Sequence, residues 1–218
     1  MTDRLNEAIQ IKRAADRGRY DTETINAIAD AGLVAHVGTI RDGQPVVIPM
    51  FCVRDRDHLL LHGAPAAGVL RRARAEERTI CVEMTLIDGL VLARSAFHHS
   101  MNYRSLVVIG IPDEVTEESE KAHALEMFVE RLIPGRQADL RPNNQKEIQG
   151  TAVFRVSLEQ ASAKVRSGPP IDDDEDYELD IWAGVVPTRL AMDDPIDDPR
   201  LLPGVSVPAN VTAYVRGD

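Results

Sequence analysis

Aromatic side chains are scarce in this sequence, at 4% of 218 residues, with a single Trp among them. A nucleic-acid platform stacks bases on aromatic rings, so the scarcity argues against one. Positive charge is also short: 25 Lys and Arg stand against 35 Asp and Glu, a net charge of −10. Phosphate backbones and anionic membrane surfaces both require the opposite balance. The two cysteines, Cys52 and Cys81, lie inside apolar runs without metal-ligand spacing and read as buried thiols. No run approaches the roughly 20 apolar residues of a membrane span. Met1 to Lys12 carries charges throughout and lacks the apolar centre of a signal peptide. These absences predict a cytoplasmic protein that binds neither nucleic acid nor membrane.

What is present is a globular composition, 44% hydrophobic, enough for one domain with a buried aliphatic core. Residues 1–20 read as a polar N-terminal arm, residues 21–166 as a helix followed by a barrel, and residues 167–218 as an acidic loop and C-terminal extension. Asp21 offers an N-cap, Ile25, Ile28 and Ala29 recur at helical spacing, and Gly32 ends the helix. The pattern then turns to strands. Val34–Ile40 and Val46–Val53 flank Asp42-Gly43, a strong hairpin signal. Leu59–His62 completes a meander. A small-residue loop, Gly63 to Gly68, leads into a short helix from Val69 to Ala75. Thr79–Ile87 and Leu90–Ala96 read as strands about a tight turn at Asp88-Gly89, with Ser105–Gly110 and Thr151–Leu158 as further strands. Glu117–Leu132 has the best helical stripe, through Ala122, Leu125, Phe128 and Leu132. The acidic segment Asp172 to Asp180 has no period and reads as solvated, Ile181–Val186 as a last strand, and the chain beyond Pro187 as irregular. Six or seven strands with two main helices predict a mainly β protein, a small antiparallel barrel flanked by helices.

Several segments carry chemistry. Gly63 to Gly68 before a helix is either a plain connection or an anion cradle of backbone N–H groups, with Arg71, Arg72 and Arg74 one turn on. It has neither P-loop nor dinucleotide spacing. His98 to Ser105 crowds polar groups before an apolar strand. A metal site would need three convergent ligands from His62, His98 and His99, and adjacent histidines on a strand face opposite ways. Ser95 with His98 lacks the nucleophile elbow of a hydrolase. Lys164 and Arg166 share one strand face and meet either an anionic ligand or the acidic loop. Trp182 fits core or interface packing.

The run Asp88 to Ser105, with His36-Val37-Gly38, Pro45, Ile48-Pro49, Leu61-His62-Gly63, Lys164-Val165-Arg166, Gly168-Pro169-Pro170 and Trp182-Ala183-Gly184, resembles the flavin-nucleotide-binding proteins of the pyridoxamine 5′-phosphate oxidase-like superfamily, in its nitroimidazole-reductase-like branch. The resemblance spans roughly residues 20 to 190. It implies an FMN-binding split β-barrel, a homodimer with FMN at the subunit interface, and a flavin-dependent oxidoreductase of unnamed substrate. It places Pro49, Met50, Leu61, His62 and Gly63 beside the isoalloxazine ring. Asn102, Tyr103, Arg104, Ser105, Lys164, Arg166 and Trp182 complete the expected cofactor set. Relatives carry Ser followed by Arg or Lys for the flavin phosphate where this chain has Ala67 and Gly68, so Arg71 or Arg72 is the expected substitute. Ala191 stands where pyridoxamine phosphate oxidases carry His, which argues against that activity. A non-enzymatic flavin carrier or sensor, and a relative holding haem or a deazaflavin instead of FMN, are the alternatives.

Overall fold

The computed structural model describes residues 7–216, apart from the side chains of residues 64–67 and 216. The first six residues of the expected arm and the Ala67 side chain therefore lie outside the described residues. The described strands are β1 (Gly18–Arg19), β2 (Val34–Arg41), β3 (Gln44–Asp55), β4 (His58–His62), β5 (Ile80–Leu92), β6 (Ser100–Gly110), β7 (Asp113–Glu114), β8 (Val153–Ser157), β9 (Ala161–Arg166) and β10 (Gly184–Pro187). The helices are α1 (Thr22–Ala31), α2 (Ala64–Ala75), α3 (Glu118–Leu132), α4 (Gln145–Gly150) and α5 (Ala209–Arg216).

The chain divides into two compact units, one built from residues up to Glu114 with Ala152–Arg189, the other from Val115–Thr151 with Leu190 onward. The first holds the sheet, in the order β1-β9-β6-β5-β2-β3-β4-β8-β7, with β10 added along β5. All its pairings are antiparallel. This is the antiparallel barrel with flanking helices that the sequence pattern predicts, in the split form that the resemblance implies.

Local chemistry explains the elements. The Asp21 carboxylate accepts from the Thr24 N–H at 2.8 Å and starts α1. The β2–β3 hairpin turns through Asp42 at φ 52° and Gly43 at φ 77°, the two positive angles that match strand twist. Alternate residues of β2, β3, β5 and β6 point inward with Ile28 of α1 and Leu70 of α2. Ala35, Val37, Cys52, Leu59, Leu61, Val82, Leu106, Val108 and Phe154 are among the buried members of one core. Aliphatics dominate it, as the shortage of aromatics requires. Truncating Phe154 to Ala is expected to cost about 3–5 kcal/mol.

Five local expectations are corrected. Helix α2 begins at Ala64, so Gly63–Gly68 is not a loop: Gly63 is the helix N-cap and the small residues form its first turn. β5 runs unbroken through Asp88-Gly89, which is a register shift against β6 rather than a turn. A tight turn leaves Leu90 onward no partner on that side, whereas a bulge lets one strand pair with β2 in its first half and β10 in its second. β6 starts at Ser100, so Asn102 to Ser105 are strand residues. The segment from Asp172 is anchored, because Asp172 is buried, and a short 3₁₀ turn follows at Asp174–Glu178. Beyond Pro187 the chain is irregular as expected through Pro208, but Ala209–Arg216 form α5.

The second unit is helical. α3 buries Ala124 and Phe128, while Leu132 is exposed, so its covered stripe is narrower than the sequence period implied. Glu130 accepts the Gly135 and Gln137 N–H groups at 2.7 and 2.8 Å, closing the turn after α3. Asn144 and Glu147 form a reciprocal cap on α4.

Candidate functional site

The strand registers define one broad sheet face opposite the core. Pro49, His36, Glu83 and Val107 lie in one row across β3, β2, β5 and β6. Phe51 and Val34 pair beside it, and Thr85, Ser105 and Lys164 continue across β5, β6 and β9. A third row joins Ile87, Tyr103 and Arg166. The inward neighbours are buried, but this face holds exposed apolar groups: Val34 is 49% exposed, Val47 64% and Ile87 41%. A sheet that leaves such residues open lacks its second layer within one chain.

The face carries few charges, and they are organised. His36 Nδ1 lies 3.3 Å from the Glu83 carboxylate, and the Thr85 hydroxyl donates to that same carboxylate. The half-buried Cys81 lies on this side of β5, and burial first, then Glu83, pushes its thiol pKa up. Cys52 is buried as expected.

The expected cofactor residues divide by strand parity. Pro49, Tyr103, Ser105 and Lys164 lie on the open face. Met50 and Leu61 are in the core and offer only backbone to that side. Lys164 Nζ donates to the Arg13 carbonyl at 2.8 Å, tying the arm to β9. Asn102 and Arg166 are both buried and bonded to one another. Asn102 also donates to the Gly168 carbonyl at 3.1 Å and Arg166 to the Pro169 carbonyl at 3.1 Å. The pair pins the turn after β9. Neither Lys164 nor Arg166 pairs with the acidic segment among the described residues.

Other guanidinium groups are already engaged. Arg104 grips Asp88 with two bonds, at 2.9 and 2.7 Å, and Asp88 raises its pKa. Arg71 grips Glu114 at 2.6 Å and Arg72 meets Asp42 at 2.6 Å. A flavin phosphate at α2 must compete with those carboxylates, so the expected substitution by Arg71 or Arg72 is disfavoured. Trp182 is 68% exposed in the chain and folds over Gly184, which excludes the core alternative.

Two histidines have the form of ligands. His62, at the end of β4 beside Gly63, packs edge-on against Phe51 at 6.4 Å, and burial lowers its pKa, favouring the neutral ring. His99 Nδ1 donates to the Ser95 carbonyl at 2.8 Å, which orients the ring and engages Nδ1 rather than Nε2. Glu83 and Thr85 were missed by sequence reasoning, and His36 was singled out only as part of a family motif, without a role. The histidine lies far from both in the chain, and only the β2–β5 register brings them together.

The model of the pyridoxamine 5′-phosphate oxidase family matches residues 21–165, two thirds of the chain and nearly all of the barrel. The chain belongs to this family. Its members bind flavin nucleotides. The chain is 42% identical to the flavocytochrome Anf3 from Azotobacter vinelandii over 95% of this chain and 96% of that one, with a TM-score of 0.89. It is 32% identical to the FAD and haem binding protein from Mycobacterium smegmatis over 90% and 96%, with a TM-score of 0.84. A candidate 5-nitroimidazole antibiotic resistance protein from Bacteroides thetaiotaomicron is 25% identical over 68% and 86%, at 0.55. No curated protein matches the chain. Among the described residues, no helix is long and apolar enough to cross a membrane.

Proposed function

We propose that this member of the pyridoxamine 5′-phosphate oxidase family is a redox protein that binds both a flavin and a haem, as a homodimer. The observation that carries the reading is the 42% identity, over nearly the whole of both chains, to a flavocytochrome. The sequence alone favoured FMN, with haem or a deazaflavin in its place as a further alternative. The two most similar proteins described above favour both together.

The open face suits a flat ring. Its middle is Pro49, Gly38, Thr85 and Ser105, which are small enough for a planar ligand to approach the backbone, with Tyr103 at one border and Phe51 at another. The His36–Glu83–Thr85 group can hold and release a proton beside such a ring, Glu83 orienting the imidazole and Thr85 orienting Glu83. A bound flavin supplies hydride and electron transfer and a haem supplies one-electron chemistry, both tuned by the residues around them. Haem iron takes a neutral imidazole, and burial favours that form for His62, while the carbonyl bond of His99 orients its ring with Nε2 turned away from Ser95. A second copy covers Val34, Val47 and Ile87 and supplies the missing layer.

We assign the flavin as FAD rather than the FMN expected from the sequence. The Mycobacterium smegmatis relative binds FAD, and the arginines nearest the expected FMN phosphate are held by Glu114 and Asp42. The experiment is reconstitution of the purified chain with FAD and with haem, followed by desalting and an absorption spectrum. Retained flavin bands together with a Soret band are expected. A folded protein that retains neither overturns the reading, and flavin without haem reduces it to a flavoprotein.

A further inference from the structure

Among the described residues, eleven arginines pair with carboxylates: Arg54, Arg71, Arg72, Arg74, Arg78, Arg94, Arg104, Arg136, Arg141, Arg155 and Arg200. Arg17, Arg19 and Arg166 are among the described arginines that do not. They nonetheless converge. All three line one small cavity of about 230 Å³ with Asp16, Val165, Ser167 and Ile171. In a chain of net charge −10, carboxylates are abundant, so three guanidinium groups gathered without a paired one need an explanation.

The cavity is built by secondary structure. β1 pairs with β9, Gly18 opposite Lys164 and Arg19 opposite Ala163. Arg19 is held in place by the Asp16 and Gly18 carbonyls at 2.8 and 2.7 Å, which orient its guanidinium without neutralising it. Arg166 is 7% exposed and is fixed by Asn102 and the Gly168 and Pro169 carbonyls. Its pKa is lowered, first by burial and then by the like charge of Arg17. Asp16 offsets part of this positive charge without forming an ion pair. Crowded, partly desolvated cations are costly alone and are relieved by an anion.

The cavity also continues the open face. Arg166 is in register with Tyr103, and Tyr103 with Ile87. From β5 across β6 to β9 is two strand spacings, about 10 Å, a gap that a ribityl chain bridges.

We propose that Arg17, Arg19 and Arg166 form a site for the pyrophosphate of a nucleotide, and that the pyrophosphate is that of the FAD whose ring lies on the open face. The inference rests on the flavin reading above and adds residues to it. Forked guanidinium donors suit the paired oxyanions of a pyrophosphate. The site replaces the phosphate position lost where Ala67 and Gly68 stand.

The test compares riboflavin, FMN, FAD and ADP binding to the full chain, by quenching of flavin fluorescence and by calorimetry for ADP. The proposal expects FAD to bind more tightly than riboflavin, with an advantage that shrinks as salt rises. Arg17→Ala and Arg19→Ala, both at partly or fully exposed positions, are expected to weaken FAD by about tenfold to a hundredfold each and to leave riboflavin unchanged. ADP binding that depends on these arginines while riboflavin fails to bind keeps the pyrophosphate site and removes the flavin ring from the face. Equal affinity for riboflavin and FAD, unaltered FAD binding in both variants, or no binding of FAD or ADP to the folded chain overturns the proposal.

Discussion

The Asp172 carboxylate, with no accessible side-chain surface, accepts from the Arg94 backbone N–H at 2.9 Å and from its guanidinium at 3.0 Å. The same guanidinium lies over the Tyr177 ring, 4.8 Å from its centre, and the Tyr177 hydroxyl is 3.3 Å from the Asp172 N–H. One ion pair thus fastens the acidic segment to the end of β5. Burial alone raises the Asp172 pKa, but the bonds from Arg94 outweigh it and hold the group below its ordinary 3.8. A depressed folded pKa adds stability above the unfolded value, and this is lost as pH falls through the folded one. Asp172→Asn is therefore expected to lower Tm by several degrees at pH 7, with the difference from wild type shrinking as pH falls through the depressed folded pKa. A constant Tm difference across that range contradicts the ion-pair account.

Gly89 sits at the β5 bulge, where β10 crosses. A Cβ there meets Val185 Cγ1 at 2.9 Å and the Val186 carbonyl at 3.2 Å. The second contact is backbone and cannot rotate away. Gly89→Ala is expected to cost about 1–3 kcal/mol and to lift β10 from β5. Hydrogen exchange reads this directly: the amides of Gly184, Val185 and Val186 lose protection while those of β2 and β3 keep it.

How much of this was legible beforehand follows the range of the interactions. The α1 cap, the Asp42-Gly43 hairpin and the alternation of β2 and β3 are local, and the sequence carries them plainly. Gly63 misled because small residues before a helix look the same whether they form a loop or the first turn. Asp88-Gly89 misled because a bulge and a hairpin turn use the same residues, and only the partner strands distinguish them. Family motifs located the Tyr103 and Lys164 positions on the open face. They also named Asn102 and Arg166, which the fold spends partly on holding the Gly168 turn. Pairings far apart in sequence, such as His36 with Glu83 or Arg17 with Arg166, have no sequence signature.

His62 gives a second pH handle. Burial depresses its pKa below 6.5, so the unfolded chain binds a proton there more readily than the folded one. Its contribution to stability is present above about pH 6.5 and falls away as pH drops through the lower folded value. His62→Phe is expected to flatten that part of the pH–Tm curve. If His62 is also the haem ligand, the variant loses the Soret band on reconstitution, whereas His99→Ala retains it. The reverse pattern assigns the iron to His99.

Trp182 reports on the proposed dimer, because it is the sole Trp and is 68% exposed in one chain. Phe97, at 89%, and Ile181, at 47%, are open as well. Large apolar groups left in water favour a partner surface. If a second copy covers Trp182, its emission shifts to shorter wavelength as protein concentration rises through the dimer equilibrium, in step with the mass seen by sedimentation. Trp182→Ala then weakens association, by about tenfold or more if the indole is a central contact. Dimerisation with an unshifted, solvated emission places Trp182 outside the interface and leaves the open face of β2, β3 and β5 as the surface that pairs.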